Sequence, residues 1–194
     1  MRKLRKAKRC RWAETDPFLK EYHDEEWGIP VHDDLKLFEF LILEGAQAGL
    51  NWLIILKKRN AFRIAFEGFD PEKIASFSST DVKRLLANKE IIRNRLKISA
   101  AVTNARQFIS IQDEFGSFND YVWQFVGGKP IKHRFRSASS IPNKSRESDR
   151  MSEDLKTRGF KFVGSTICYA FMQATGMVND HVTNCFRYSE VSNR

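Results

Sequence analysis

The stretch Asp33-Asp34-Leu35-Lys36-Leu37-Phe38-Glu39-Phe40-Leu41-Ile42-Leu43-Glu44-Gly45-Ala46-Gln47-Ala48-Gly49 carries helix signals at both ends. Asp33 or Asp34 offers a carboxylate to the first free amides and Gly49 offers a stop, so the pattern predicts a helix from about Leu35 to Gly49. Helical periods also dominate outward from it, and no segment shows sustained period-two alternation. A second helix is expected over Trp52 to Phe66, ending in the turn Gly68-Phe69-Asp70-Pro71. Pro71 suits the first position of a short helix through Ser76. Thr80 is read as the cap of a helix carrying Val82, Leu85 and Leu86. After a break at Asn88-Lys89-Glu90, a long amphipathic helix is expected from Ile91 to about Ile111. Phe118 to Val126 follows, stopped by Gly127-Gly128-Lys129-Pro130. Residues 131–147 read as a basic, Ser-rich loop with Lys132, His133, Arg134, Arg136, Lys144 and Arg146. Ser148 opens a helix to Arg158-Gly159, residues 165–175 form an apolar helix stopped by Gly176, and a last short helix should carry Asn179 to Phe186. The fold class is all-α.

The 194 residues fit one compact unit, built as two lobes on one core. With 10 Gly, 5 Pro and 42% hydrophobic residues, collagenous and generally disordered chains are excluded. No 18-residue apolar stretch occurs, so no membrane partner is expected. The basic N-terminus runs into Ala13-Glu14-Thr15-Asp16-Pro17 rather than an apolar signal core, which predicts an unexported, cytoplasmic protein. The net charge of +9 is unevenly placed. Residues 1–11 hold seven basic side chains and no acid; residues 12–50 hold two basic and ten acidic; residues 51–150 hold nineteen basic and ten acidic. A basic arm over residues 1–9, expected to be disordered, and a basic middle suit a polyanion; an ordinary solvated surface suits the same counts.

Cys10, Cys168 and Cys185 are odd in number and far apart, which argues against a disulfide framework. Cys10 with His23 and His181 with Cys185 make a Cys2His2 set suited to tetrahedral zinc. The second pair would share a helix face if it lies on a helix. Four scattered, unrelated residues satisfy the spacing too. Cys168, among apolar neighbours, reads as a buried thiol.

Glu44 interrupts the apolar helix. Stepping about 100° per residue puts it about 80° from Lys36, at the edge of a polar stripe with Glu39 and Gln47. A solvated position fits that angle. So does a carboxylate at a pocket rim near Tyr22, Trp27 and Trp52, hydrogen-bonding a base edge while aromatic rings stack on the base faces.

Several ordered stretches resemble the 3-methyladenine DNA glycosylase I family of helix-hairpin-helix glycosylases. They are Cys10-x-Trp12, Asp16-Pro17, Tyr22-His23-Asp24-x-x-Trp27-Gly28 and Leu43-Glu44-Gly45-x-Gln47-Ala48-Gly49-Leu50-x-Trp52. Leu56-Lys57-Lys58-Arg59, Ile91-Ile92-Arg93-Asn94-Arg95-x-Lys97-Ile98 and Gly159-Phe160-Lys161-Phe162-Val163-Gly164 continue the match. Thr166-Ile167-Cys168-Tyr169-x-Phe171-Met172-Gln173-Ala174, then Gly176 and Val178-Asn179-Asp180-His181, complete it. The resemblance runs from about Cys10 to Cys185.

The resemblance implies a glycosylase domain over 10–194, with a central lobe of about 35–130 and a second lobe of about 10–34 plus 131–194. One structural Zn2+ held by Cys10, His23, His181 and Cys185 would tether the chain ends. Glu44 would read the damaged base, Tyr22 and Trp52 would line the pocket, and Trp12 would stand nearby. Gln47 and Leu50 fall where a DNA-facing turn would fill the gap left by a flipped nucleotide. The Asn88–Ile91 break would be the hairpin gripping phosphate, with Lys89, Arg93, Arg95 and Lys97 keeping its surroundings basic. The implied activity is DNA repair by a monofunctional, monomeric hydrolase of N-glycosyl bonds, bacterial-type and nucleoid-associated when on DNA. It would release 3-methyladenine from double-stranded alkylated DNA and leave an abasic site. The alternative is a non-catalytic, zinc-stapled DNA-binding module.

Two features bear on chemistry. Glu90 stands where related hairpins carry glycine, so its carboxylate must point away from phosphate or weaken the grip. The region Arg106-Gln107-Phe108-Ile109 lacks the Asp that most of the wider superfamily places beyond the hairpin, and members of the resembled family lack it as well. Alkylation at N3 puts a positive charge on adenine, so C–N cleavage expels a neutral, good leaving group and a strong general acid is not required. No lysine is assigned to Schiff-base chemistry.

Overall fold

The computed structural model describes residues 8–192; of the N-terminal arm, residues 1–7 lie outside the described residues. The helices are α1 (Pro17–Glu25), α2 (Asp34–Gln47), α3 (Trp52–Ala65), α4 (Pro71–Ala75) and α5 (Ser79–Ala87). They continue with α6 (Arg95–Phe115), α7 (Phe118–Trp123), α8 (Arg146–Thr157), α9 (Ser165–Ala174) and α10 (Phe186–Ser192). Two residue-pair strands, β1 (Ile131–Lys132) and β2 (Val178–Asn179), pair in parallel. No described helix is long and apolar enough to cross a membrane.

Local chemistry sets most boundaries. Asp16 caps α1, whose first residue is Pro17; Asp33 caps α2 by accepting from Lys36 N at 2.8 Å; Asn51 caps α3. Residues 37–46 of α2 are all buried, and this helix packs against α3, α6, α7 and α9. A helix buried on nearly every side is the centre of the molecule.

Four expected boundaries move. Ser78, not Thr80, caps α5, because the Ser78 and Asp81 side chains close a reciprocal capping box. The long helix starts at Arg95 rather than Ile91, where the Asn94 side chain accepts from Lys97 N; it extends to Phe115. Ser145 rather than Ser148 caps α8, the two serines again forming a capping box. The short helix expected over Asn179 to Phe186 is absent. Asn179 lies in β2, His133 N–H donates to Asn179 O at 3.2 Å, and Thr183 N–H donates to Phe135 O at 2.8 Å. Those amides and carbonyls find tertiary partners, and the helix begins only at Phe186. The helix α1, not foreseen, carries Tyr22 and His23.

Residues 28–31 run along the end of α9 and bring the two ends of the chain together. Gly28 N–H donates to Gln173 O and Val31 N–H to Thr175 O, each at 3.0 Å. Gly176 makes this approach possible: its φ is +69°, and a Cβ there would lie 2.3 Å from the Ile29 carbonyl carbon.

Candidate functional site

Where α1, the end of α2 and the start of α3 meet the end of α9, a cleft of about 580 Å³ opens. Its walls include Trp12, Tyr22, Trp27, Glu44, Gln47 and Trp52, so four dispersed stretches converge there. The Tyr22 and Trp52 rings are 5.5 Å apart at 54°, and Trp12 meets Trp27 edge-on at 5.1 Å. Trp52 Nε1 is buried with no hydrogen-bond partner, a donor left for something in the cleft.

Glu44 is only 4% exposed, which removes the solvated reading of its helical position. The helical angle left the solvated and pocket-rim positions open, and burial decides between them: α2 is surrounded, so its polar stripe is covered at Glu44. Glu44 forms no hydrogen bond or ion pair with any described residue, and burial pushes its carboxyl up to about 8. The same α2 holds a contrasting case in Glu39, whose carboxylate accepts from Arg59 and Arg63 at 2.7 Å each. One helix thus carries a satisfied buried acid and an unsatisfied one, and only the unsatisfied one faces the cleft. Nearby negative charge from Glu44 adds to burial in raising the Tyr22 hydroxyl.

The turn after α2 is held from two directions. Lys97 Nζ donates to Ala46 O at 2.8 Å and to Ala48 O at 2.7 Å, capping the helix with a cation where its dipole is negative. Lys97 is therefore engaged internally rather than offered to an outside partner. Gln47 Nε2 donates to Leu50 O and Leu50 N–H to Gln47 O, so the predicted pair closes one tight turn. Lys89 and Arg93 are exposed on the segment between α5 and α6, and Arg95 is exposed at the first position of α6. Glu90 is exposed too; its N–H is taken by Asn88 Oδ1 at 2.9 Å, and Lys58 Nζ donates to the carbonyls of Lys89 and Glu90.

Beneath the cleft lies a second, fully buried site. The ligand atoms of Cys10, His23, His181 and Cys185 all fall within 4.8 Å of one another. His23 Nε2 stands 3.4 Å from Cys185 Sγ, and His181 Nδ1 stands 3.7 Å from both sulfurs. The ring nitrogens on the far sides are used as well: His23 Nδ1–H donates to Asp24 Oδ1 at 2.8 Å and His181 Nε2–H to Trp27 O at 3.0 Å. Both rings thereby turn bare nitrogens toward the sulfurs, the arrangement that outer partners impose on metal-binding histidines. Proximity to Cys10, aided by the two imidazoles, lowers Cys185, while proximity to Cys185 and burial raise Cys10. Four buried sulfur and nitrogen donors grouped this closely suit a metal ion. His181 and Cys185 arrive by a turn rather than on a shared helix face. Cys168 lies apart, a buried thiol pushed up to about 12 by desolvation.

Reading the residues alone did not find Asp24 or the Trp27 carbonyl as supports for the histidines. A charged neighbour adjacent to His23 was the only available signal, and a backbone carbonyl leaves none.

A family model described as Methyladenine glycosylase matches residues 12–188. The chain is 49% identical over 180 residues to DNA-3-methyladenine glycosylase 1 of Escherichia coli (strain K12), covering 93% of this chain and 96% of that protein. It is 44% identical over 177 residues to DNA-3-methyladenine glycosylase of Haemophilus influenzae, covering 91% and 96%. Among solved structures, a 3-methyladenine DNA glycosylase I superposes with TM-score 0.90 at 51% identity, over 92% of this chain and 98% of that one. Another, a variant of 3-methyladenine DNA glycosylase I in complex with 3-methyladenine, superposes with TM-score 0.89 at 36% identity, over 92% and 96%.

Proposed function

The chain belongs to the methyladenine glycosylase family, and from that premise we propose that it hydrolyses the N-glycosidic bond of 3-methyladenine in double-stranded alkylated DNA. The observation that carries this reading is Glu44: a buried carboxylate without a partner, opening into a cleft walled by Tyr22, Trp27 and Trp52. Leaving such an acid unsatisfied costs stability, and a cationic base with N–H donors is the ligand that offsets that cost. The flipped base sits between the rings, where a cation gains from the aromatic faces. An ordinary neutral adenine gains less from both contacts.

The departing base takes the bonding electrons. The bond between C1′ and the purine nitrogen breaks with its electron pair moving to that nitrogen, which discharges the cationic ring. Water supplies the oxygen that bonds C1′ and loses a proton to solvent, leaving an abasic site and neutral 3-methyladenine. Glu44, ionised against the cation, holds the base in place for this loss rather than donating a proton to it. Trp12, in edge contact with Trp27, fixes the back of the cleft.

The Asn88–Ile91 break, between α5 and α6, serves as the hairpin that meets phosphate. Since the Glu90 amide is taken by Asn88, the grip there falls to Lys89, Arg93 and Arg95. Gln47 and Leu50, on the turn pinned by Lys97, occupy the space vacated by the flipped nucleotide. Zinc is the ion assigned to Cys10, His23, His181 and Cys185. A tetrahedron with Zn–S of about 2.3 Å and Zn–N of about 2.0–2.1 Å has edges of about 3.3–3.8 Å; the 3.4 and 3.7 Å separations fall inside that range, and the wider ones, up to 4.8 Å, would close on a bound ion. Four protein ligands leave no open position, so the ion is structural. The enzyme works as a cytoplasmic monomer.

Incubation with methylated duplex and chromatography of the freed bases tests the proposal. Release of 3-methyladenine is expected; binding to the duplex without any base release would leave only a zinc-stapled DNA-binding module.

A further inference from the structure

The basic segment 131–136 has no part in the site described so far. It continues from β1 to a bend at Arg136, and its burial alternates: Ile131, His133 and Phe135 are half-buried, while Lys132, Arg134 and Arg136 are exposed. In an extended chain alternate residues share a face, which sets Lys132 and Arg134 side by side, and Arg136 follows at the bend that leads on to Ala138. The backbone from Ile131 to Phe135 is pinned by neighbouring segments. β1 pairs with β2, Thr183 N–H donates to Phe135 O, and His133 Nδ1 meets the fully buried Asp180 at 2.6 Å. Lys132 donates to Ser192 O, a neutral carbonyl that leaves its charge uncompensated. Arg134 and Arg136 enter no ion pair or hydrogen bond with any described residue. Of the acids further along, Asp149 lies 3.7 Å from Lys144 and Glu147 is half-buried.

Two residues beyond Arg136 the same chain segment enters the base cleft, where Ala138, Ile141 and Pro142 form part of the wall. The geometry points to Lys132, Arg134 and Arg136 as a second phosphate-contacting strip for duplex DNA, on a different wall of the cleft from the one joined to the 89–95 segment. That segment connects to the cleft through Lys97 and the turn at Gln47, so the two basic strips flank separate parts of one opening. A duplex laid across the mouth is then held on both sides of the displaced nucleotide. Such contacts carry no sequence information; they position the backbone.

The strip rests on the proposed function only in taking DNA as its partner, and binding to an undamaged duplex tests it separately. Affinity is measured across a range of salt concentrations for the full chain and for the double variant Arg134→Ser, Arg136→Ser. Each lost phosphate contact should reduce the steepness of log K against log salt by about 0.9, so a fall of about 1.8 is expected. Thermal stability should be unchanged, since both side chains are exposed. A control variant, Lys73→Ser with Lys156→Ser, removes two exposed lysines from α4 and α8, neither of which lines the cleft. An unchanged slope in the arginine variant, or an equal fall in the lysine control, overturns the strip. A wild-type protein that shows the slope yet releases no 3-methyladenine overturns the proposed function and leaves the strip standing.

Discussion

The Nε2–H of His181 donates to the carbonyl oxygen of Trp27 at 3.0 Å, joining the buried Cys2His2 cluster to a wall of the aromatic cleft. The bond sets the tautomer, so that Nδ1 is the bare nitrogen facing Cys10 and Cys185. Trp27 also lies edge-on to the His181 ring at 4.6 Å, which leaves neither residue room to turn independently. Gly28 follows directly; a Cβ there would stand 3.0 Å from His181 Nε2 at a φ of +80°. The cluster and the cleft are thus two faces of one packed layer of rings.

Glu44→Gln keeps the shape of the cleft but removes the negative charge. Release of 3-methyladenine should fall by about 10²–10³-fold, the scale of losing a preorganised electrostatic contact. Duplex affinity, carried by surface cations, should persist. Near-normal release measured by chromatography would remove Glu44 from the mechanism.

The raised Glu44 carboxyl also predicts how stability depends on pH. An unfolded glutamate titrates near 4.5, whereas burial holds Glu44 at about 8. Between those values the folded protein keeps a proton that the unfolded chain has lost. Glu44's contribution to stability is therefore intact below about pH 4.5 and declines as pH rises toward 8. Urea titrations of wild type and Glu44→Gln should diverge across that window, with the variant more stable at pH 8. Parallel curves would contradict the buried, unpartnered carboxyl.

His181→Ala, or chelation of the wild type, should lower folding stability by several kcal/mol, because binding energy in a closed site is folding energy. The melting temperature should drop in both cases, and metal should rescue only the wild type. Loss of base release in a variant of undiminished stability would make the cluster part of the chemistry instead.

Lys97→Met removes the cation that caps α2. Two carbonyls near the cleft lose a charged donor, at a cost of about 1.5–3 kcal/mol for such a bond. The turn at Gln47–Leu50 should loosen, so base release should weaken more than the affinity for undamaged duplex. An equal loss in both assays would show that Lys97 acts on DNA directly.

Much of the architecture was legible along the chain. Caps, glycines and apolar periods are local, so the all-α class and the cores of most helices could be read without the fold. The misplaced starts at Thr80, Ile91 and Ser148 share a cause: several candidate cap residues lie close together, and side-chain geometry chooses among them. The four sulfur and nitrogen donors were legible by residue type as a Cys2His2 set, and the resemblance implied that one ion holds them. The turn that presents His181 and Cys185 was not, because backbone groups from 131–135 satisfy 178–183 from over forty residues away.

The sequence by itself determined the all-α class and the cores of most helices, which four side chains have metal-binding chemistry and where the excess positive charge lies, since each depends on near neighbours or on residue type. Only the tertiary structure decided that Glu44 is buried and unpartnered while Glu39 is buried and paired. An angle on one helix reports which residues share a side, whereas desolvation depends on what other segments lay over that side.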